Sequence, residues 1–388
     1  MNATGSAAPR EQRPSYLQLV PPSVPERVRL LEGGDEAFPR MLDAIADARE
    51  SVFLEVYGFK RDRMGERFLE ALTQAANRGV RVRCVMDGWG SARDGEEIAG
   101  LLRDAGCEAE IYNPLRTMLL GRFKRDHRKL LVVDDEVAFL GGINIGEEYG
   151  SRMGWADLAV ELRGPACGWL GRKLRGEKPG PVDPAVRVYL SGFGGGRRLR
   201  KRYLKAIGSA ERTLLIANAY FLPDRRLMRS LRAAARRGVA VTLLVPGNSD
   251  VLFAREATRR LYGPMLAAGV RIHEWNRTVL HAKAAVVDGR LALVGSFNLD
   301  PYSMENLEAL VEVHDAQVAG RLEACLRAWE ARATPVRAAH VARRTWLDRV
   351  VLETAGGLAA VVATKVARLL RGAVHRGPRV KPEPGAEG

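Results

Sequence analysis

The chain repeats itself. His127-Arg128-Lys129, then Asp134, then Gly141-Gly142-Ile143-Asn144 returns as His281-Ala282-Lys283, then Asp288, then Gly295-Ser296-Phe297-Asn298. The displacement is 154 positions at the His, Lys, Asp, Gly and Asn alike, for example 281 − 127 and 298 − 144. Five chemically specific positions without slippage require two similar folding units.

The residues between the fixed positions set the local structure. Leu130 to Val133 and Val137 to Leu140 are apolar runs broken by Asp134-Asp135-Glu136, and Ala284 to Val287 and Leu291 to Val294 are broken by Asp288-Gly289-Arg290. Asp-Gly between apolar runs marks a hairpin. Side chains two apart on a strand share a face, which sets His127 beside Lys129 and His281 beside Lys283. The Gly-Gly-x-Asn and Gly-Ser-x-Asn ends turn tightly and bring Asn144 and Asn298 near. Upstream, helices are expected over 38–48, 65–78 and 96–105, with strands over 51–57 and 80–86 between them. The pattern recurs later, with Tyr220 echoing Tyr57 and Gly238 echoing Gly79. Alternating strands and helices predict an α/β fold with mixed, largely parallel sheets and helices on both faces. Two such halves related by a pseudo-twofold axis, sharing one cleft, follow from the repeat.

An imidazole serves as nucleophile or proton carrier near neutral pH. A Lys ammonium is a point charge suited to phosphate oxygens, and an Asn amide adds a neutral donor. Two such sets around one phosphodiester supply a nucleophile, an acid and donors to developing charge, and the arrangement calls for no metal or other cofactor. The other histidines, His273, His314, His340 and His375, lack such company and read as structural or surface groups. Cys84, Cys107, Cys167 and Cys325 show no metal spacing and read as packing residues in a reduced setting.

The two H-x-K-x4-D motifs resemble those of the phospholipase D superfamily. Leu30-Leu31-Glu32-Gly33-Gly34, Ile216 to Phe221 and Leu299-Asp300-Pro301 are similar to its bacterial cardiolipin synthase branch, and Arg344-Thr345-Trp346 to the type B form of that branch. The resemblance covers about residues 28 to 350. It implies catalytic roles for His127, Lys129, Asp134, His281, Lys283 and Asp288, with substrate held by Asn144 and Asn298. The position of Asp134 and Asp288 at the turns favours strand anchoring for both. It further implies that acids downstream, Asp157 and Glu308, orient the histidines through the other ring nitrogen; the alternative for each is a surface charge. The segment before Asn306-Leu307-Glu308 is one residue shorter than the family pattern.

The implied reaction is phosphatidyl transfer between two phosphatidylglycerol molecules, giving cardiolipin and glycerol. The alternative is a phosphodiesterase using water on a lipid or a nucleic acid. A net charge of +15 calls for a polyanionic partner without choosing between lipid and nucleic acid. Leu115 to Arg125 mixes apolar and basic residues and reads either as an active-site lip meeting an anionic membrane or as an ordinary loop. Residues 336–388 hold ten Lys and Arg against four Asp and Glu, with apolar residues at helical spacing. Thr354 to Thr364 is too short an uncharged run to span a bilayer, so a basic amphipathic helix on a membrane is expected, or one packed on the second domain. These features favour anionic phospholipid over nucleic acid, and peripheral attachment at the cytoplasmic side of a bacterial cell membrane. The expected organisation is a Pro-rich tail over 1–26, domains over 27–170 and 187–335, a linker over 171–186 and the C-terminal segment. The tail reads as neither a signal peptide nor a membrane span.

Overall fold

The computed structural model describes residues 23–118, 124–150, 154–180, 182–192, 195–248 and 252–339. The C-terminal segment from 340, the tail up to 22, and residues 119–123 of the apolar-basic stretch lie outside the described residues.

The first half runs α1 (Val24–Arg27), β1 (Val28–Glu32), α2 (Gly33–Asp47), β2 (Ser51–Val56), α3 (Arg63–Asn77), β3 (Arg81–Asp87), α4 (Gly95–Asp104), β4 (Glu108–Tyr112), α5 (Leu115–Met118), β5 (Lys129–Val133), β6 (Val137–Gly141) and β7 (Leu158–Arg163). After α6 (Pro165–Leu174) the second half runs β8 (Val186–Leu190), α7 (Gly196–Ser209), β9 (Thr213–Asn218), α8 (Arg225–Arg236), β10 (Ala240–Pro246), α9 (Leu252–Arg259), α10 (Tyr262–Leu266), β11 (Arg271–Trp275), β12 (Lys283–Val287), β13 (Leu291–Gly295), β14 (Ala309–His314), α11 (Ala316–Arg332) and β15 (Thr334–Pro335).

Matched signals build matched elements. Asp62 caps α3 by accepting from the Met64 and Gly65 amides, and Asp224 caps α8 from those of Arg226 and Leu227. Both helices bury an apolar stripe and stop before a glycine with positive φ, Gly79 and Gly238. Helix α2 starts five residues before the expected 38, where the Glu36 carboxylate accepts the Glu32 amide. The connection between halves is 175–185, since α6 continues to Leu174 and β8 opens at Val186.

The sheets run β1-β7-β6-β5-β2-β3-β4 and β8-β14-β13-β12-β9-β10-β11-β15. Each strand of the first has its counterpart seven later in the second, in the same order, and β15 is an addition at one edge. The sheets are mixed, as expected, but not largely parallel. Only β2-β3-β4 and β9-β10-β11 are parallel, and every other pairing is antiparallel. The reason is the hairpin itself: β5-β6 and β12-β13 are joined by turns too short for a parallel crossover. In those turns Asp134, Asp135, Asp288 and Gly289 all have φ between 51° and 64°, the left-handed geometry that matches strand twist.

The sheets pack face to face. Leu130, Val132, Leu140 and Val160 share one core with Ala284, Val286, Val294 and Val311 of the other half. Helices α2, α3 and α4 cover the outer face of the first sheet, and α7, α8 and α10 that of the second. The result is four layers, helix-sheet-sheet-helix. The join has twofold symmetry: the His127 amide donates to the Leu307 carbonyl at 2.9 Å, and the His281 amide to the Ala156 carbonyl at 2.8 Å.

Candidate active site

His127 and His281 lie two residues before the first residues of β5 and β12, at the seam between the halves. Lys129 and Lys283 open β5 and β12, and all four side chains are buried. The Lys129 ammonium donates to the His127 carbonyl at 2.7 Å, and that of Lys283 to the His281 carbonyl. The spacing of two therefore folds each lysine back under its own histidine.

The carboxylates cross over. Asp157, just before β7 of the first half, sits 2.6 Å from Nδ1 of His281 in the second. Glu308, just before β14 of the second half, sits 3.1 Å from Nδ1 of His127 in the first. Neither half holds a complete set. Nδ1 of His281 also lies 3.0 Å from the Lys283 ammonium. One nitrogen cannot serve both, and the carboxylate accepts its proton while Lys283 donates to the carbonyl. Both Nε2 atoms are thereby left for chemistry. The shortened segment before Glu308 does not displace it: Ser191 Oγ accepts its amide at 2.7 Å.

The two dyads differ electrostatically. Burial pushes His127 well below the usual imidazole value, and the charges of Lys129 and Lys283 act the same way. Burial and then Lys283 lower His281, against the opposing charge of Asp157. Burial alone would raise Asp157, but the His281 and Lys283 charges hold it below the ordinary carboxyl range. Glu308 goes the other way, pushed by burial up to about 8 despite Lys129. Burial and the neighbouring Lys283 bring Lys129 down to about 7. The carboxyl beside His127 is thus pushed up by burial, whereas the charges around Asp157 hold the carboxyl beside His281 down.

Gly142 and Ser296, counterparts in the repeat, account for part of this. A Cβ on Gly142 would stand 2.1 Å from Asp157 Oδ1, so only glycine leaves room for that carboxylate. Ser296 instead donates its hydroxyl to Glu308. Asn144 is buried, with its carbonyl accepting the Gly58 amide and its amide donating to Tyr149 at 2.8 Å. The Tyr149 ring is 5.7 Å from that of His281. Asn298 is buried with its amide hydrogen-bonded to Ser303.

Asp134 and Asp288 are not brought to the site, which corrects their place in the catalytic signature. The Asp134 carboxylate accepts the amides of Arg49, Glu50 and Ser51, and Asp288 those of Glu211, Arg212 and Thr213. Each ties its hairpin turn to the start of the neighbouring strand, at the opposite end of the hairpin from the histidine.

Four aromatic residues went unassigned by sequence. Tyr57 packs 4.8 Å from His127, and Trp155, Tyr149 and Tyr220 surround His281. The Tyr57–Tyr220 match was the available signal. His273 and His314 pair with Glu330 and Glu312 away from the site, while Cys84, Cys107 and Cys167 are buried thiols.

The family model described as cardiolipin synthase, PLD-like domain, matches residues 41–152 and 203–329. Cardiolipin synthase B of Salmonella typhi is 37% identical over 318 residues, spanning 74% of this chain and 76% of that protein. Cardiolipin synthase B of Escherichia coli K12 is 36% identical over the same spans. Among solved structures, phosphatidylserine synthase of Haemophilus influenzae superposes with a TM-score of 0.71 over 89% of this chain and 95% of that one, at 14% identity, a likeness of fold. The chain belongs to the phospholipase D superfamily and is an enzyme of its cardiolipin synthase branch.

Proposed function

We propose that the protein transfers a phosphatidyl group from one phosphatidylglycerol to another through a phosphohistidine. The observation that carries this is the crossed pair of dyads, each carboxyl group reaching Nδ1 of the imidazole in the other half and leaving both Nε2 atoms for chemistry. A nucleophile must be unprotonated, and His127 is the imidazole held neutral beside a neutral acid. A general acid must carry a proton, and the Asp157 carboxylate stabilises the imidazolium that His281 forms, against the burial and the Lys283 charge that lower it.

His127 Nε2 attacks phosphorus, and the bond to the headgroup glycerol oxygen breaks. His281 Nε2 gives that oxygen its proton. His281 then takes the proton from a hydroxyl of a second phosphatidylglycerol, whose oxygen attacks phosphorus and releases His127. The products are cardiolipin and one glycerol. Lys129, Lys283, Asn144 and Asn298 hold the phosphate oxygens as charge develops. Tyr149 fixes Asn144 for this task.

The enzyme works attached peripherally to the membrane, at its cytoplasmic side. Among the described residues no helix is long and apolar enough to cross a bilayer. Trp89, Leu115 and Tyr302 are 50%, 45% and 69% exposed, and Arg125 stacks 4.8 Å over the Trp89 ring. Arg125 is two residues from His127, and its carbonyl accepts the Leu307 amide. Exposed aromatics interleaved with basic groups beside the catalytic seam suit an anionic lipid surface.

The test is an alkaline rapid quench of enzyme with phosphatidylglycerol, followed by intact mass spectrometry. An adduct of one phosphatidyl group, absent from His127→Ala, is expected. Steady turnover by His127→Ala without an adduct would refute the scheme.

A further inference from the structure

Symmetry makes departures from symmetry informative. A cavity of about 620 Å³ lies between the halves and is lined by none of the catalytic His or Lys side chains. Glu55 and Arg128 form its floor, each 13% exposed, with Arg128 2.9 Å from Glu55 and also bonded to Asp126. Trp169, Leu174 and Leu190 supply apolar wall, and the exposed Lys173 and Arg198 stand at its mouth.

The corresponding place across the pseudo-twofold is filled. Arg128 has Ala282 as its counterpart, and Leu190 has Glu32, since each precedes the same position of the matched edge pairing. Helix α11 has 17 residues against ten in α6. It places Trp329 against Glu32, with the indole donating at 2.6 Å, and stacks that ring 5.9 Å from Trp275. Among the described residues, the α6 side carries the cavity.

The cavity touches the backbone of one catalytic dyad. Arg128 follows His127. Leu307 lines the wall, and its carbonyl accepts the His127 amide. Ser191, also in the lining, exchanges two hydrogen bonds with Glu308, its amide donating to the Glu308 carbonyl at 2.8 Å and its hydroxyl oxygen accepting the Glu308 amide at 2.7 Å. Whatever occupies the cavity rests on the three segments that position His127 against Glu308.

We propose that this cavity is an effector site for an anionic amphiphile, whose anion meets Lys173 and Arg198 while its tail lies along Trp169, Leu174 and Leu190. Arg128 is ion-paired with Glu55 and Asp126 in the floor, so the positive charge open to a ligand is at the mouth. The volume is that of an ordinary ligand site, roughly 300–1,000 Å³. The anion could be the carboxylate of a fatty acid or the phosphate of a lysophospholipid, and both satisfy the same chemistry. Occupancy changes turnover through the Leu307, Ser191 and Arg128 backbone.

Calorimetric titration of the full chain with laurate, below its micelle concentration and without substrate, tests binding independently of catalysis. Saturable binding is expected, weakened roughly tenfold or more in the Lys173→Glu/Arg198→Glu double variant. Leu190→Trp, which fills the cavity from a strand outside the catalytic set, abolishes it. Both changed surfaces are exposed or half-buried, and thermal melting checks the fold. Lysophosphatidic acid of the same chain length, run in parallel, tells the two sources apart. Acetate binding as tightly as laurate would overturn the amphiphile class, and laurate affinity equal in all three proteins would overturn the site. Laurate should alter turnover of the wild type and leave Leu190→Trp unaffected. An equal response in both would overturn the coupling.

Discussion

Replacing Asp157 with Asn should damage catalysis far more than replacing Glu308 with Gln, although the two acids occupy equivalent places. Asp157 lies 2.6 Å from Nδ1 of His281 and is held ionised. Charge centres about 4 Å apart attract by about 4 kcal/mol at an effective dielectric near 20. That attraction exists only when His281 carries its second proton, the form needed to release glycerol. At about 1.4 kcal/mol per decade, losing most of it lowers kcat roughly 100- to 1,000-fold. Glu308 is pushed to about 8 and faces His127 as a neutral acid, which Gln mimics in shape and in hydrogen bonding. Its loss is that of one rearranged hydrogen bond, about 1 kcal/mol, or roughly five- to tenfold. The assay is the initial rate of lipid product formation in mixed micelles at pH 7, with circular dichroism melts to confirm folding. Equal losses, or a larger one for Glu308→Gln, would refute the assignment of roles.

Asp134→Ala and Asp288→Ala should each lower stability by roughly 1–3 kcal/mol, since three amides, one of them partly buried, lose their acceptor, while activity per folded molecule changes little. Denaturant titration with product assays on the same samples checks both parts. Gly142→Ala should reproduce the Asp157→Asn defect, because its Cβ displaces that carboxylate, and Ser296→Ala should be milder. A carboxyl raised in the folded state stabilises below its ordinary value and loses that contribution as pH rises toward about 8, so wild type should lose stability relative to Glu308→Gln between pH 5 and 7. Lys129, whose lowered value acts with the opposite sign above about 7, is raised by the Glu308 charge and shifts in the variant, so the comparison is read below pH 7. Trp89→Ser with Tyr302→Ser should weaken sedimentation with anionic vesicles severalfold without changing the melt.

The repeat made most of the fold legible. Identical spacing at His127 and His281 fixed the hairpins, and Gly79 and Gly238 marked the C-terminal ends of α3 and α8. The parallel share was overestimated because helices alternate with only β2-β3-β4 and β9-β10-β11, while the central hairpins add antiparallel strands. The site residues were legible as a set, but not their wiring. Nothing local to Asp157 says that its partner is 124 positions away in the other half, because that contact exists only once the sheets pack. Asp134 and Asp288 belong to the motif by spacing, and their place at the turns already favoured anchoring; the fold adds the three amides that each accepts. The cavity was illegible for the same reason, since it arises from the lengths of α6 and α11 and from Arg128 standing where the repeat has Ala282.

The most direct measurement is incubation of the purified protein with labelled phosphatidylglycerol, read by lipid mass spectrometry, beside His127→Ala and His281→Ala. Cardiolipin and free glycerol in equal amounts, lost in both variants, is the predicted result. Phosphatidic acid as the lipid product, or cardiolipin persisting in either variant, would contradict it.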